Sequence, residues 1–184
     1  MQIVAMDTDD LADGSGKAKI TWISKYLLQD SRAMNATSNT NGGWGTSRMR
    51  SQLREQVFPA IPEVIRNEIK EVTKTYITLY PEALRTPTDI ADTVWIPSAR
   101  EIFGGASYPN PGESRGCVYT GFFSSASMRK KNKCGLGASS WWMRTAPNSS
   151  GAGYATYFAC VNSSGGRNLI GAGSGQGVAL GFCT

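Results

Sequence analysis

The stretch Trp141-Trp142-Met143-Arg144 is the part of the sequence that says most about the fold. Adjacent residues on a strand point to opposite faces, so one tryptophan is expected to fill a core while the other packs beneath a loop. The planar guanidinium of Arg144 is suited to hold loop carbonyls or a carboxylate. A doubled tryptophan can also stack on a sugar ring, but inside an apolar run core packing is favoured. This stretch therefore predicts a rigid scaffold strand.

The sequence around this strand is rich in glycine, since 16 of the 21 glycines lie from Gly104 onward. Short apolar runs separated by long polar stretches are typical of short strands that carry long loops. Leaving so many aromatic side chains in water would be costly, which favours a folded sheet over a flexible linker. The runs are Val118–Tyr119, Phe122–Phe123, Trp141–Met143, Tyr157–Val161 and Val178–Phe182.

The chain before residue 104 has the patterns of strands and helices. Ile3–Met6 and Ile20–Ile23 predict strands, and Asn35–Gly45 predicts a loop because most of its residues are Asn, Gly, Ser or Thr. Ser47 is a typical N-cap for a first helix, and Pro62 a favoured first-turn residue for a second. The apolar stripes expected to face the core are Met49, Leu53 and Val57 in the first helix, and Ile65, Ile69 and Val72 in the second.

The stretch that follows the second helix predicts short elements. Ser98 and Glu101 have the spacing of a capping box, so a short helical turn is expected to end at Gly104-Gly105. The other expected elements are a strand over Thr73–Leu79, a loop over Pro81–Asp89 and a buried strand over Asp92–Pro97.

The charge is distributed unevenly along the chain. The net charge is +5, yet no acidic residue follows Glu113, so the last 71 residues carry +7 and the first 113 carry −2. A positive field of this kind can attract nucleic acid or an anionic surface. The cluster Arg129–Lys133 is short, however, and a solvated loop is the favoured interpretation, so nucleic acid is not an expected partner.

The residue types argue against catalysis. Histidine is absent, which excludes Ser-His and Cys-His nucleophile pairs and imidazole-ligated zinc. We therefore predict no enzyme activity, no catalytic residues, no cofactor and no metal site. The four cysteines lack C-x-x-C spacing, and either two disulfides or free thiols are possible, with free thiols favoured. No apolar run reaches the roughly 20 residues of a membrane-spanning helix, so no membrane insertion is expected.

The interval from residue 148 to residue 176 combines small polar residues with tyrosines. Antibody recognition loops use a similar set, because Tyr supplies contact area at low entropic cost while Ser, Asn and Gly adapt. An ordinary exposed loop has the same composition, so composition alone leaves both interpretations open.

An ordered set of motifs in this chain resembles the DUF6273 domains. The motifs are Gly43-Trp44, Ser47-x-Met49-Arg50, Asp92-x-Val94-Trp95-Ile96-Pro97-Ser98-x-x-Glu101-Ile102, Trp141-Trp142-Met143-Arg144 and Gly177-Val178-Ala179-Leu180-Gly181-Phe182-Cys183. Such domains occur in surface proteins of gut bacteria and in tail or other structural proteins of their phages. They are similar to the C-type-lectin-like fold of formylglycine-generating enzymes and of the variable proteins of diversity-generating retroelements.

Together, the residue patterns and the resemblance predict a single α+β, C-type-lectin-like domain over residues 1–184, with two helices packed on a small twisted antiparallel sheet. Residues 1–103 would form the strand and helix scaffold, and residues 104–184 the loop-rich half that carries the binding face. Trp141, Trp142, Arg144 and the Gly177–Phe182 strand would belong to the scaffold. The diversified ligand-binding residues would be Ser149, Ala152, Tyr154, Thr156, Tyr157, Asn162, Arg167, Asn168, Leu169, Ser174 and Gln176.

The expected function is that of a non-enzymatic recognition module. Its partner would be a host or bacterial cell-surface receptor, either protein or glycan, and its location a virion (a phage tail) or a bacterial surface. Multivalent display offsets weak single-site affinity, so a homo-oligomer is expected, with a trimer as the leading state. The alternatives are a structural virion protein and a homologue of the formylglycine-generating enzymes.

Overall fold

The computed structural model describes residues 1–77, 87–104, 113, 116–119, 121–147 and 155–184. The described strands are β1 (Gln2–Met6), β2 (Ile20–Ile23), β3 (Val72–Ile77), β4 (Pro87–Asp92), β5 (Lys131–Asn132), β6 (Ala138–Ser139), β7 (Trp141–Trp142), β8 (Tyr157–Val161), β9 (Arg167–Gly171) and β10 (Gly181–Cys183). The described α-helices are α1 (Arg48–Gln52), α2 (Glu63–Arg66), α3 (Ala99–Phe103) and α4 (Ala126–Arg129).

Within these residues the strands form small antiparallel sheets. The first sheet has the order β1-β2-β10, so the last strand of the chain pairs with the second. In β2 the residues alternate between half-buried and fully buried, as expected for a strand with one face on the core. Trp22 lies opposite Ile3 on one side and Phe182 on the other. The predicted strands Ile3–Met6 and Ile20–Ile23 are confirmed.

The tryptophan motif forms the first strand of another sheet, with the order β7-β8-β9. Trp141 lies opposite Val161 and Trp142 opposite Cys160, so the two indoles point to opposite faces. Both indoles are fully buried, as is nearly all of Arg144. The predicted scaffold role of this stretch is confirmed.

The expected α+β architecture, with two helices packed on one twisted sheet, is wrong. The described α-helices have four or five residues each, and the described strands divide into four separate small sheets. Short sheets joined by irregular segments form the framework, and therefore the C-type-lectin-like arrangement that the resemblance implied is not what the structure shows.

The first predicted helix begins as expected and then changes type. Ser47 is the N-cap, and its hydroxyl accepts a hydrogen bond from the Arg50 N–H. After α1 the chain forms a π-helical turn over Leu53–Val57 and a 3₁₀ turn over Phe58–Ala60. Pro59 lies in this last turn and has no N–H to continue the helical hydrogen bonds, although Phe58 before it keeps α dihedral angles (φ −58°, ψ −47°). The predicted stripe still faces the core, because Met49 and Leu53 are fully buried.

The second predicted helix is wrong in its length and in the side that it was expected to turn toward the core. Pro62 is its N-cap, α2 has four residues, and Ile65 is 42% exposed. Val72, expected on the same stripe, lies instead in β3 opposite Asp92. Strand pairing overrides the helical periodicity here, because β3 gains a full antiparallel ladder with β4 whereas α2 gains little burial.

The region between β3 and α3 differs partly from the prediction. The last three residues of the expected loop Pro81–Asp89 are wrong, because they belong to β4 (Pro87–Asp92). Residues 78–86 lie outside the described residues. The expected strand Asp92–Pro97 is wrong: beyond Asp92, the last residue of β4, the backbone makes a single bridge between Trp95 and Gly181. The stretch is nevertheless buried, as predicted. The capping box of Ser98 and Glu101 at α3 is confirmed.

The basic cluster Arg129–Lys133 is not a wholly solvated loop. Lys131 is 2% exposed, and its ammonium group donates a hydrogen bond to the Ser24 carbonyl. Burial lowers the pKa of Lys131 to about 8. The alternation of β5 turns one lysine inward while its neighbours Lys130 and Asn132 remain exposed.

Candidate functional site

The tryptophan sheet supports a surface made from distant parts of the chain. The Trp142 indole N–H donates to the Arg32 carbonyl at 2.7 Å, which fixes the start of the loop of residues 31–41. Arg32 and Gln176 then exchange two backbone hydrogen bonds, of 2.9 and 3.0 Å. The loop of residues 31–41 therefore lies alongside the segment of residues 171–176.

Glycine makes the close approach of these two segments possible. A Cβ on Gly171 would lie 3.0 Å from the Ser38 Oγ, and one on Gly173 would lie 3.2 Å from the Ser38 backbone nitrogen. Such separations are shorter than ordinary side-chain contacts, so larger residues would push the loops apart. The Gly173 N–H also donates to the Ser38 hydroxyl at 3.3 Å.

A third segment completes the surface. The Thr40 N–H and hydroxyl both donate to the Ala155 carbonyl, each at 2.9 Å. Tyr157 lies opposite Gly171 in the ladder of β8 and β9, so its side chain leaves the sheet on the side where Ser38 sits. We call residues 31–41, 155–157 and 171–176 the composite loop surface.

The composite loop surface is polar and mostly accessible. Tyr157 is 37% exposed, and Ser174 is exposed. The exposed residues of the 31–41 loop are Ser31, Ala36, Thr37, Ser38 and Asn41. Hydroxyl and amide groups that adapt their hydrogen bonds, beside a tyrosine ring, can bind a hydroxyl-rich or peptide-like ligand.

The structure brings together four of the ligand-binding residues predicted from sequence. Thr156, Tyr157, Ser174 and Gln176 lie on the composite loop surface. Ser149, Ala152 and Tyr154 fall outside the described residues. The remaining predicted residues lie on β9 or at the β8–β9 turn: Asn162, Arg167, Asn168 and Leu169.

The residues at the turn are separated from the composite loop surface by the length of the hairpin. Arg167 lies opposite Val161, four strand steps of about 3.3 Å from Tyr157, so it is roughly 13 Å away along the hairpin, and Asn162 lies one step farther. The Asn162 side-chain oxygen accepts hydrogen bonds from Ser164 and from the Gly166 N–H, so it shapes the turn. The Arg167 guanidinium lies 5.1 Å from the centre of the Phe103 ring.

The sequence prediction treated Arg167, Asn168 and Leu169 as one patch, but consecutive strand residues point to opposite faces. Asn168 lies opposite Cys160, on the face of Trp142, whereas Arg167 and Leu169 lie on the face of Trp141. The three side chains therefore do not form a single contact surface.

The prediction also missed the loop of residues 31–41. The sequence predicts a loop over Asn35–Gly45, which has the same Ser, Thr, Asn and Gly composition as the predicted C-terminal face. Shared composition was the available signal. Joining the two segments required the contact between Trp142 and Arg32, which are 110 positions apart.

A buried ionic cluster lies inside the framework. The ammonium group of Lys74 bonds to Asp9, to Glu101 at 3.2 Å and to the Tyr119 hydroxyl at 2.9 Å. It also lies 3.5 Å from the centre of the Trp95 ring. Every member of the cluster is almost completely excluded from solvent.

Arg144 joins this cluster to the tryptophan sheet. Its guanidinium donates to both oxygens of Glu101, at 2.7 and 2.8 Å, and to the Ile96 carbonyl at 2.9 Å. The sequence prediction that Arg144 holds a loop carbonyl or a carboxylate is confirmed. Because Glu101 also caps α3, one carboxylate ties together a helix, the β3 lysine and the segment after β7.

The charges of the cluster shift its pKa values in opposite directions. Burial alone would raise the pKa of Asp9, but the neighbouring Lys74 lowers it to about 2. Burial raises the pKa of Glu113 to about 7, and the opposing charge of Arg144 does not fully offset this desolvation. The Thr145 hydroxyl lies 2.8 Å from both Glu113 oxygens. The ion pairs inside the cluster are internal and stabilise the framework.

The remaining chemical groups give no sign of a metal or redox centre in the part of the chain that the structure describes. No three side chains of His, Cys, Asp or Glu are placed there to hold an ion. The four cysteines are unpaired, and burial raises the thiol pKa of Cys117 and Cys183 to about 12. No described helix has the length and hydropathy needed to cross a bilayer.

Comparison with known proteins places this chain in a family. Residues 18–182 match the family described as "Domain of unknown function (DUF6273)", and the chain therefore belongs to the DUF6273 family. No curated protein and no solved structure matches the chain.

Proposed function

For this member of the DUF6273 family, we propose the function of a non-enzymatic recognition module that binds a cell-surface receptor through the composite loop surface. The receptor is a protein or glycan of a host or bacterial cell. The observation that carries the proposal is the convergence of Ser38, Gly171 and Tyr157, which builds one polar, tyrosine-bearing surface from three separate segments of the chain.

The framework beneath this surface supports the proposal. Recognition loops work well when a rigid scaffold fixes their ends, because less conformational entropy is lost on binding. Here Trp142 and Thr40 fix the ends of the loops through hydrogen bonds to backbone carbonyls. The exposed residues between those points contribute little to the core, so they can change without loss of the fold.

The proposal extends to how the module is displayed. We place it on a phage tail or a bacterial surface as a homo-oligomer, with a trimer as the leading state, since several weak sites together give strong attachment. Its loops would be diversified as in the variable proteins of diversity-generating retroelements. A nearby reverse transcriptase gene and a near-copy of the C-terminal coding segment are the genomic features expected.

A matched pair of substitutions at the two ends of the β8–β9 hairpin tests the binding surface. Ser174 and Ser163 are both exposed serines, the first on the composite loop surface and the second in the turn. We expect S174R to weaken binding on a glycan array and to bacterial cells by about tenfold or more, because the new side chain blocks the surface. We expect S163R to bind as the wild type does.

Tyr157→Ala provides an independent check, since tyrosine supplies much of the contact area in such surfaces. Loss of binding in Y157A and S174R with retention in S163R supports the proposal. Equal binding by all three variants, with each correctly folded by circular dichroism, contradicts it.

A further inference from the structure

A second exposed region lies beside the composite loop surface and is built by two adjacent segments. The Leu27 N–H donates to the Asn132 carbonyl at 3.0 Å, and Leu27 and Lys133 form a parallel bridge. Inward-facing Lys131 bonds to the Ser24 carbonyl and fixes the two segments together. These contacts therefore join residues 24–28 and 131–133 into one unit.

This unit and the adjoining Lys130 carry three lysines and an exposed aromatic ring. Lys25 and Lys130 are exposed, Lys133 is half-buried, and Tyr26 is 52% exposed. The Lys25 ammonium lies 5.6 Å from the centre of the Tyr26 ring, which orients both groups on one side. We call Lys25, Tyr26, Lys130 and Lys133 the basic patch.

The charge of the basic patch is not neutralised within the described chain. None of its three ammonium groups has a described carboxylate within 4.0 Å, whereas Lys17, Lys74, Arg50 and Arg144 all have one. Asp30 is the only acidic residue between positions 24 and 47, and none follows Glu113. The patch and its surroundings therefore present a positive field to an approaching ligand.

The basic patch is continuous with the composite loop surface. The Lys133 ammonium donates to the Ser31 hydroxyl at 3.2 Å, and Ser31 is the first residue of the 31–41 loop. A ligand that extends beyond that loop meets Lys133, and then Tyr26 and Lys25. The uncharged hydroxyl and amide groups of the composite loop surface therefore lie next to the lysines and the tyrosine of the basic patch.

We propose that the basic patch binds an anionic polysaccharide, with acidic groups on the lysines and a sugar ring against Tyr26. The proposal rests on the proposed recognition function and names its ligand class. A glycan suits both halves of the surface, since its hydroxyls match Ser, Thr and Asn while its acidic groups match lysine. Nucleic acid fits less well, because such interfaces use about 6–10 phosphate contacts or a series of stacking aromatics.

The test uses sulfated dextran and unmodified dextran of equal length as probes, because they share a backbone and differ in charge. The patch variant is K25Q/K130Q/K133Q. Its matched control is K19Q/R54Q/K70Q, which removes three exposed cations elsewhere and has the same net charge. We expect the wild type to prefer sulfated dextran, the patch variant to lose about tenfold in affinity, and the control to lose little.

Two further measurements complete the experiment: variation of the salt concentration and replacement of Tyr26. Screening predicts that added salt weakens wild-type binding more than binding of the patch variant, and Tyr26→Ala is expected to lower affinity at every salt concentration. Equal losses in the patch variant and its control overturn the proposal. Tighter binding to a DNA duplex of equal charge also overturns it.

The result for the basic patch can be distinguished from the result for the composite loop surface. If S174R and Y157A bind cells normally while the patch variant loses sulfated dextran, the composite loop surface is wrong and the basic patch stands. If those two variants fail while the patch variant keeps its preference for sulfated dextran, the basic patch is wrong and the composite loop surface stands.

Discussion

Arg144 and Glu101 form a two-pronged ion pair in which each side chain is only 1% exposed. The two N–O distances are 2.7 and 2.8 Å, and the residues are 43 positions apart in the chain. The contact joins the segment just after β7 to the first turn of α3, so the framework contains a charge pair in its interior.

Removing one partner of this pair is expected to be strongly destabilising. Glu101→Gln leaves Arg144 and Lys74 with excess buried charge, and we expect a loss of about 3–5 kcal/mol in the free energy of unfolding. Urea denaturation measures this loss. Because the two residues share one interaction, the double variant E101L/R144M should lose less than the sum of E101L and R144M. A loss below about 1 kcal/mol in E101Q would contradict the assignment.

The Glu113 carboxyl predicts a specific dependence of stability on pH. Its pKa is raised from 4.5 to about 7 by burial, so between these values the native protein holds a proton that the unfolded chain releases. Stability attributable to this group therefore falls as the pH rises from 4.5 to about 7 and is constant above that range.

Glu113→Gln removes this titration and keeps an oxygen that accepts from Thr145. We expect E113Q to gain stability relative to the wild type as the pH is raised from 5 to 8, measured by urea unfolding at several pH values. Glu68→Gln, at an exposed position, is the control. The same pH trend in both variants would show that burial of Glu113 is not its cause.

Gly181 is expected to tolerate no side chain. A Cβ at this position would lie 2.5 to 2.7 Å from atoms of the Trp95 ring, which is fully buried and cannot move aside. Gly181→Ala should therefore lower the free energy of unfolding by roughly 1–3 kcal/mol, as overpacked cores do. Gly137→Ala, where the added methyl group meets open space, should change it little. Thermal denaturation of the two variants provides the comparison.

The four thiols are expected to react at very different rates. Cys134 is exposed, whereas Cys160 and Cys183 are buried and burial raises their pKa to about 11 and about 12. A thiol-reactive dye should therefore label Cys134 first in the native protein and all four cysteines in denaturant. Cys134→Ser should abolish the fast phase. A fast phase that persists in this variant would contradict the burial of the other thiols.

Local sequence patterns predicted those elements whose stabilising contacts are close in the chain. Ser47 caps α1 through Arg50, and Ser98 and Glu101 cap each other across three positions. Patterns failed where distant pairing competed with local preference. Val72 fitted a helical stripe, but the ladder between β3 and β4 placed it in a strand.

The candidate site was predicted in part for the same reason. Tyr157 and Ser174 are residue types that recognition loops use, and the structure places both on the composite loop surface. Arg167 and Asn168 are predicted on the same grounds, yet strand alternation puts their side chains on opposite faces of the sheet. Composition reports which side chains suit binding, and it carries no information about which face they occupy.

By itself, the sequence determined the polar character of the loops, the burial of Trp141 and Trp142, and the excess positive charge of the C-terminal half. Tertiary structure alone decided that Ser38 meets Gly171 and that Arg144 meets Glu101. The physical reason is the range of the interactions. Helix caps and strand alternation follow from neighbouring residues, whereas buried ion pairs and loop contacts join residues that only the folded chain brings within hydrogen-bonding distance.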